Sequence, residues 1–306
     1  MSAHAHFADR IVLRARALGH PLCAGVDPHL AQIPPLFRRG DMALAAPATA
    51  AAVRDFCLAF VTRAAPRAVC LKPQSAFFEQ LGPAGVAVLA DVLIAARDAD
   101  CPVILDAKRG DIGSTAEAYA QAYLDRDASM PADALTVNPY LGLDSLTPFA
   151  ERARNAGRGL FVLVKTSNAG SGDFQDQPID SAPLFEFVAR ALAPLAKELQ
   201  GPTTNWSSLG VVVGATYPEQ AEQVRQRLPH SLFLIPGYGA QGGAAADSVR
   251  SFVPGPAGLE GGIVNSSRGV LFPPAASSAQ HAADWERAID EALDRACQEL
   301  GEAVGG

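Results

Sequence analysis

The sequence predicts an α/β fold in which eight parallel strands close into one (β/α)8 barrel, with an extra N-terminal helix and a C-terminal closing helix. Three observations support this prediction. Short apolar runs recur along the 306 residues, each is followed by polar residues and a helical pattern, and eight such runs occur. Near-continuous hydrophobic strands that alternate with helices are typical of a helix-covered parallel sheet. A doubly wound open sheet is the structural alternative.

The predicted elements follow in chain order. Phe7–Leu18 is an amphipathic opening helix and Ala282–Leu300 is a closing helix, and we expect them to cover the barrel floor and flank. Pro28–Pro47 is an insertion after the first strand. Ser167–Pro183, rich in Gly, Ser and Asp, is a long loop after the fifth strand and a candidate lid. The predicted strands are Pro21–Val26, Ala68–Leu71, Pro102–Leu105, Ala134–Val137, Leu160–Val164, Leu209–Val213, Leu232–Ile235 and Gly261–Val264.

Composition limits the classes of protein that this chain could be. With 49% hydrophobic residues the chain can bury a large core, and we expect residues 1–306 to form one domain with frayed tails at 1–6 and 301–306. A net charge of −7 argues against nucleic acid or an anionic membrane as partner. No long apolar run or signal peptide is present, and the five cysteines form no C-x-x-C pair. The sequence therefore predicts a cytoplasmic protein with reduced thiols.

The segment Val-Ile-Leu-Asp-Ala-Lys-Arg-Gly-Asp at 103–111 carries the strongest chemical signal. Side chains alternate along a strand, so Asp106 and Lys108 are predicted to point the same way. Gly110 then bends the chain and brings Asp111 round. We predict that these charges lie in a strand-to-helix turn, where (β/α)8 barrels keep their chemistry.

The helix that follows this turn is predicted from a capping box. Ser114 and Glu117, three residues apart, indicate that a helix spans Thr115–Leu124.

Other predicted strand ends supply further polar groups. Asp27, Lys72, Asn138 and the run 166–168 each close a strand. Ammonium and carboxylate groups gathered at one barrel mouth keep each other ionised, so Lys108 is predicted to be a proton donor. A structural ion-pair network is the alternative interpretation of these residues.

Two glycine-rich turns indicate an anion site near the end of the chain. Residues 236–243 follow the seventh strand, and Asn265–Gly269 follow the eighth. Such turns let backbone N–H groups approach an anion, and Arg268 adds a permanent forked cation. Barrels often bind phosphate in these two loops, so the sequence predicts a phosphate site.

The run Asp106–Thr115 resembles the D-x-K-R-G-D-I-G-x-T signature of the orotidine 5′-phosphate decarboxylase family, type 2 subfamily. Further matches extend over most of the chain, at 24–28, 72–73, 138–142, 165–168, 237–243 and 265–269. The resemblance implies a (β/α)8 barrel, a homodimer with shared active sites, and conversion of orotidine monophosphate to UMP and CO2 without a metal or other cofactor. This reaction is the last step of de novo UMP synthesis.

Residue roles follow only from this resemblance. It implies that Lys108 protonates C6 of the pyrimidine as CO2 leaves, and that the partner subunit receives Asp111 and Thr115. The implied charged array is Lys72, Asp106, Lys108 and Asp111. The implied substrate contacts are Asp27 to the ribose, Ser167 to the pyrimidine amide, Gln241 and Arg268 to the phosphate, with Thr115, Asn138, Gly242 and Ser267 completing the set.

Two other functions stay open at this point. One is a Mg²⁺-dependent sugar-phosphate decarboxylase or aldolase of the same barrel family. Those relatives share Asp-x-Lys but add a Glu on the same strand, where this chain has only apolar residues at 103–105. The other is a non-catalytic binder of a phosphorylated ligand.

Overall fold

The computed structural model describes residues 6–239 and 244–305. Eight parallel strands form the central sheet, which confirms the predicted barrel. The strands are β1 Leu22–Val26, β2 Cys70–Pro73, β3 Ile104–Arg109, β4 Ala134–Val137, β5 Gly159–Lys165, β6 Ser207–Val213, β7 Ser231–Ile235 and β8 Gly262–Ser266.

The sheet closes on itself between β2 and β3. Hydrogen-bonded neighbours follow the order β2-β1-β8-β7-β6-β5-β4-β3. Two parallel bridges, Leu71 with Val103 and Gln74 with Asp106, then join the two end strands. Neighbouring strands are consecutive in the chain all the way round, so the doubly wound open sheet is ruled out.

Helices surround the barrel. They are α1 Phe7–Leu18, α2 Pro47–Ala64, α3 Gly82–Asp98, α4 Gly113–Leu124, α5 Thr147–Ala156, α6 Leu184–Glu198, α7 Pro218–Arg227 and α8 Ala282–Val304. Short α-helices span Ala76–Glu79, Gly172–Gln175, Ala245–Ser248, Arg268–Leu271 and Pro274–Ser277, and 3-10 turns span Leu30–Gln32, Leu143–Leu146 and Ala169–Ser171.

The connection from β7 to β8 differs from the repeat that the sequence predicts. Its described part carries the short helix Ala245–Ser248 and a two-stranded hairpin of Val253–Gly255 with Gly258–Glu260. Gly258 has a φ of +114°, a conformation that favours glycine and permits this tight reversal.

The two extra helices take the predicted places. Phe7 of α1 is buried and packs edge-on against Phe161 of β5, with 6.0 Å between ring centroids, so α1 seals the barrel floor. Helix α8 lies on the flank, where Asp290 pairs with Arg63 of α2. It continues to Val304, whose side chain is buried. The predicted frayed tail is therefore wrong for residues 301–304, because the last turn of α8 packs against the hydrophobic core through Val304.

Helix α4 begins earlier than predicted and has no capping box. Gly113 is its first residue, Ile112 is the N-cap, and no side chain caps the first turn. Glu117 instead forms an ion pair with Arg152 of α5. Because the helix begins at Gly113, Ser114 lies inside its first turn and cannot act as the N-cap residue that the sequence pattern suggested.

Candidate active site

A cavity of about 540 Å³ opens at the carboxyl ends of the barrel strands. Charged residues from β2 and β3 form one wall, and the loop after β5 forms another. Leu163, Val212 and Leu234 contribute an apolar surface. The lining residues are Lys72, Asp106, Lys108, Leu163, Thr166, Ser167, Asn168, Gly170, Ser171, Phe174, Gln175, Val212, Leu234 and Pro236.

Asp106 stands between two lysines in this cavity. Its Oδ2 lies 2.8 Å from Nζ of Lys72, and its Oδ1 lies 2.6 Å from Nζ of Lys108. Asp106 and Lys72 are buried, whereas the Lys108 side chain is 45% exposed to the open cavity. Three of the four predicted array members thus meet in one chain.

The charges in this cluster stabilise one another. Burial disfavours the ionised form of Asp106, but the ammonium groups of Lys72 and Lys108 outweigh it and hold the pKa of Asp106 well below its usual range. Burial likewise disfavours the charged form of Lys72, yet the carboxylates of Asp106 and Asp27 raise its pKa above the usual value. Lys72 and Asp106 are therefore both ionised at neutral pH.

A local irregularity, and not simple alternation, places Lys108. The register of β3 against β4 shifts between Leu105 and Arg109, and Lys108 has a φ of +48°. The predicted convergence of Asp106 with Lys108 is confirmed, but it depends on this bulge. Thr136 of β4 contacts the bulge, and the sequence reasoning missed it. The available signal was a hydroxyl in the otherwise apolar run at 134–137.

Asp27 presents an unused acceptor near the same cluster. Its Oδ1 is buried and has no hydrogen-bond partner among the described residues. A buried carboxylate oxygen without a donor is unfavourable, so it indicates a ligand hydroxyl or water at this position. The predicted contact residue Ser267 lies beside β1, because a Cβ on Gly25 would come within 1.9 Å of its Oγ. Ser267 also accepts a hydrogen bond from Nδ2 of Asn265 at 3.1 Å.

The loop after β5 is built over one side of the cavity. Ser167 and Asn168 line the cavity as predicted. The side-chain oxygen of Gln175 accepts the backbone N–H of Thr166 at 2.9 Å, which folds the short helix Gly172–Gln175 back onto the strand end. The fully buried Lys165 lies 2.6 Å from Asp176. These contacts anchor the loop that the sequence marks as a candidate lid.

Several predicted site residues do not join the cavity of their own chain. Among the described ion pairs, none links Asp111 to Lys72 or Lys108, and Oδ1 of Asp111 accepts the N–H of Ile112. Thr115 is exposed on α4. Asn138 is exposed as well, and its Oδ1 accepts the N–H of Tyr140 at 3.0 Å. Its side chain therefore closes its own turn.

The predicted phosphate residues are only partly described. Gln241 and Gly242 lie outside the described residues. Arg268 begins the short helix Arg268–Leu271 after β8, at the same end of the barrel as the cavity.

The described part of the chain shows neither a cluster of candidate metal ligands nor a helix that could cross a membrane. Within residues 6–239 and 244–305, no three His, Cys, Asp or Glu side chains lie together as candidate metal ligands. No helix in these ranges is both long and apolar enough to cross a membrane.

The chain is similar to proteins of a known family over most of its length. The Orotidine 5'-phosphate decarboxylase / HUMPS family matches residues 20–283. The orotidine 5'-phosphate decarboxylase of Rhodopirellula baltica is 42% identical over 301 residues, which is 96% of this chain and 98% of that protein. Its counterpart from Deinococcus radiodurans is 40% identical over 87% of this chain and 89% of its own length.

Solved structures give the same result. The Leishmania donovani OMP decarboxylase superposes with a TM-score of 0.74 and 31% identity, covering 98% of this chain and 99% of that one. A Streptomyces avermitilis structure gives a TM-score of 0.81 with 36% identity, over 100% and 98% of the two chains. Fold and site define a (β/α)8 barrel with a charged lysine–aspartate centre. The chain belongs to the Orotidine 5'-phosphate decarboxylase / HUMPS family.

Replacing Asp106 by Asn should lower the free energy of unfolding by about 3 kcal/mol, because the buried Lys72 loses its counterion. The native pKa of Asp106 is depressed, so its stabilisation is complete above the unfolded-state pKa of about 3.9 and is lost as the pH falls toward the lower native value. Urea unfolding should therefore show a constant difference between wild type and Asp106→Asn above about pH 5, and a shrinking difference below about pH 4.

The exposed Asp98→Asn variant is the matched control and should change the unfolding free energy little at any pH. A wild-type advantage of Asp106 that persists undiminished at about pH 2 would contradict the assignment of its charge.

Proposed function

We propose that this protein converts orotidine 5'-phosphate to uridine 5'-phosphate and CO2, as the last step of de novo UMP synthesis, without a metal or organic cofactor. The observation that carries the proposal is the buried carboxylate of Asp106 held between Lys72 and Lys108. The family relatives named above are orotidine 5'-phosphate decarboxylases.

Lys108 is proposed as the proton donor. As the bond between C6 and the carboxylate breaks, its electron pair remains on C6 and CO2 departs. Lys108 then transfers one proton from Nζ to C6, and the neutral amine regains a proton from water after product release. Both lysines line the cavity, but the side chain of Lys108 is 45% exposed and that of Lys72 only 6%, so Lys108 is the more accessible to substrate.

Fixed charge supplies part of the required stabilisation. The carbanion at C6 has no electron sink in the ring, so a nearby cation must stabilise it. An ammonium about 4 Å away contributes on the order of 4 kcal/mol at an effective dielectric of about 20, or roughly a thousandfold in rate. Binding energy from distant parts of the substrate must provide the remainder, by holding the substrate carboxylate against Asp106.

The remaining substrate contacts follow the shape of the barrel mouth. Asp27, with its unpartnered buried oxygen, is proposed to accept a ribose hydroxyl. Ser167 on the β5 loop is proposed to bind the pyrimidine amide. The phosphate is assigned to the turns after β7 and β8, through Gln241, Gly242, Ser267 and Arg268.

We propose a homodimer in which each site borrows Asp111 and Thr115 from the partner. Ile112 is 59% exposed and Tyr140 is 83% exposed, close to the point where Gly110 packs against Asn138. Large apolar side chains that extend into solvent beside the strand ends favour an interface there. Asn138 belongs to the same surface and is proposed to act at this interface or at the partner's substrate.

The whole chain is proposed to act as one catalytic domain in the cytoplasm. All five cysteines are free thiols and four of them are buried, which fits a reducing compartment.

The function is tested by following the absorbance of orotidine monophosphate with EDTA-treated protein. We expect full activity after EDTA, and we expect Lys108→Ala to abolish turnover because the proton donor is lost. Lys197→Ala is the matched control, since Lys197 is exposed on α6 and should leave the rate unchanged.

Two outcomes would contradict the proposal. Activity that needs added Mg²⁺ would favour the metal-dependent relatives. The three buried residues directly before Asp106 are Val103, Ile104 and Leu105, and they supply no carboxylate for a metal. Residual Lys108→Ala activity within about tenfold of wild type would remove Lys108 as donor.

Shared sites can be tested by complementation. Lys108→Ala and Asp111→Ala proteins should each be nearly inactive, whereas their mixture should recover activity, because a mixed dimer rebuilds one site with both residues intact. With free subunit exchange, half of the dimers are mixed, so recovery should approach about a quarter of wild type. No recovery despite demonstrated exchange would place Asp111 within the site of its own chain.

A further inference from the structure

We infer that Thr136 is a positioning residue for the reaction: its hydroxyl fixes both the carboxylate of Asp106 and the backbone of Lys108. Thr136 is buried at the end of β4 and is 1% exposed. It is not among the residues that line the cavity. The inference rests on the proposed function, which uses Lys108 as the proton donor.

The hydroxyl of Thr136 makes three hydrogen bonds. Its Oγ1 accepts the backbone N–H of Ala107 at 3.0 Å and the backbone N–H of Lys108 at 2.9 Å. The same hydroxyl donates to Oδ1 of Asp106 at 3.0 Å. A hydroxyl can donate one hydrogen bond and accept two, so the hydrogen-bonding capacity of Thr136 is fully used.

These bonds replace a missing part of the strand ladder. Leu105 is the register partner of Leu135, and the next partners are Arg109 and Val137. Three residues of β3 therefore face the single residue Thr136 of β4. The extra residues bulge, and two of their N–H groups bond to a side chain where a regular strand would offer backbone carbonyls.

The bulge matters because it carries the proposed proton donor. Lys108 has a φ of +48°, a conformation that residues other than glycine seldom adopt and that surrounding contacts must maintain. Oδ1 of Asp106, which accepts the Thr136 hydroxyl, also lies 2.6 Å from Nζ of Lys108. Thr136 thus holds the backbone and the side-chain partner of Lys108 at once.

The test compares steady-state kinetics of Thr136 variants. Thr136→Val keeps the shape but removes the hydroxyl, and we expect kcat to fall about tenfold or more while KM changes by less than about threefold. Thr136→Ser keeps the hydroxyl and should stay within about threefold of wild type. Thr49→Val is the matched control: Thr49 on α2 is also buried and donates one hydrogen bond, to the carbonyl of Ala43, and neither residue lines the cavity.

A direct structural readout separates this inference from the proposed function. Amide hydrogen exchange at Ala107 and Lys108 should be faster in Thr136→Val than in wild type and unchanged in Thr49→Val, whatever the activity. Inactive wild-type protein would overturn the proposed decarboxylation. Wild-type kcat in Thr136→Val, or an equal loss in Thr49→Val, would overturn the role of Thr136.

A second pair of variants covers the case in which Thr136→Val fails to fold. Serine and cysteine are similar in size, but a thiol is a much weaker donor and acceptor than a hydroxyl. Thr136→Cys should therefore have a kcat several-fold below that of Thr136→Ser, with similar binding of uridine monophosphate. Equal kcat values for the two variants would overturn the inference.

Discussion

A single buried carboxylate, that of Asp106, contacts two lysine side chains, and the rest of the site is arranged around it. Charges taken out of water are stable only when they are paired and hydrogen-bonded. Asp106 meets this condition with Lys72, Lys108 and the hydroxyl of Thr136. The side chain of Lys108 is 45% exposed and faces the open cavity. A cation at this position is what the proposed carbanion would require.

The barrel makes this arrangement possible because its strands end together. Lys72 closes β2, Asp106 lies near the end of β3, and the bridge between Gln74 and Asp106 closes the sheet at that level. The floor at the opposite end is filled by Phe7 and its neighbours, so the charged mouth can be irregular without opening the core. The bulge of β3, the anchored β5 loop and the turn after β8 all lie at this upper end.

The sequence was sufficient to predict the barrel and most of the charged cluster, because apolar strands and charges at strand ends are local signals. It was insufficient where a distant residue decides the outcome. The predicted capping box at Ser114 does not form, because the helix begins at Gly113 and Ser114 lies inside its first turn; Glu117 pairs with Arg152 of another helix. The position of Lys108 followed from alternation only in part, since the bulge depends on Thr136, 28 residues further along the chain. The proposed contribution of Asp111 to a partner's site has no structural signal within one chain.

The charge state of Lys72 tests the central claim most directly. The chain has only four lysines, Lys72, Lys108, Lys165 and Lys197, so the Nζ resonances of protein labelled with ¹⁵N-lysine can be assigned by substitution. In wild-type protein, Lys72 should remain protonated above the usual lysine pKa of about 10.4. In Asp106→Asn its pKa should fall below that value, because burial, the largest effect, is then opposed by Asp27 without Asp106. A Lys72 that titrates below about 10.4 in wild type, or that is unaffected by Asp106→Asn, would contradict the account.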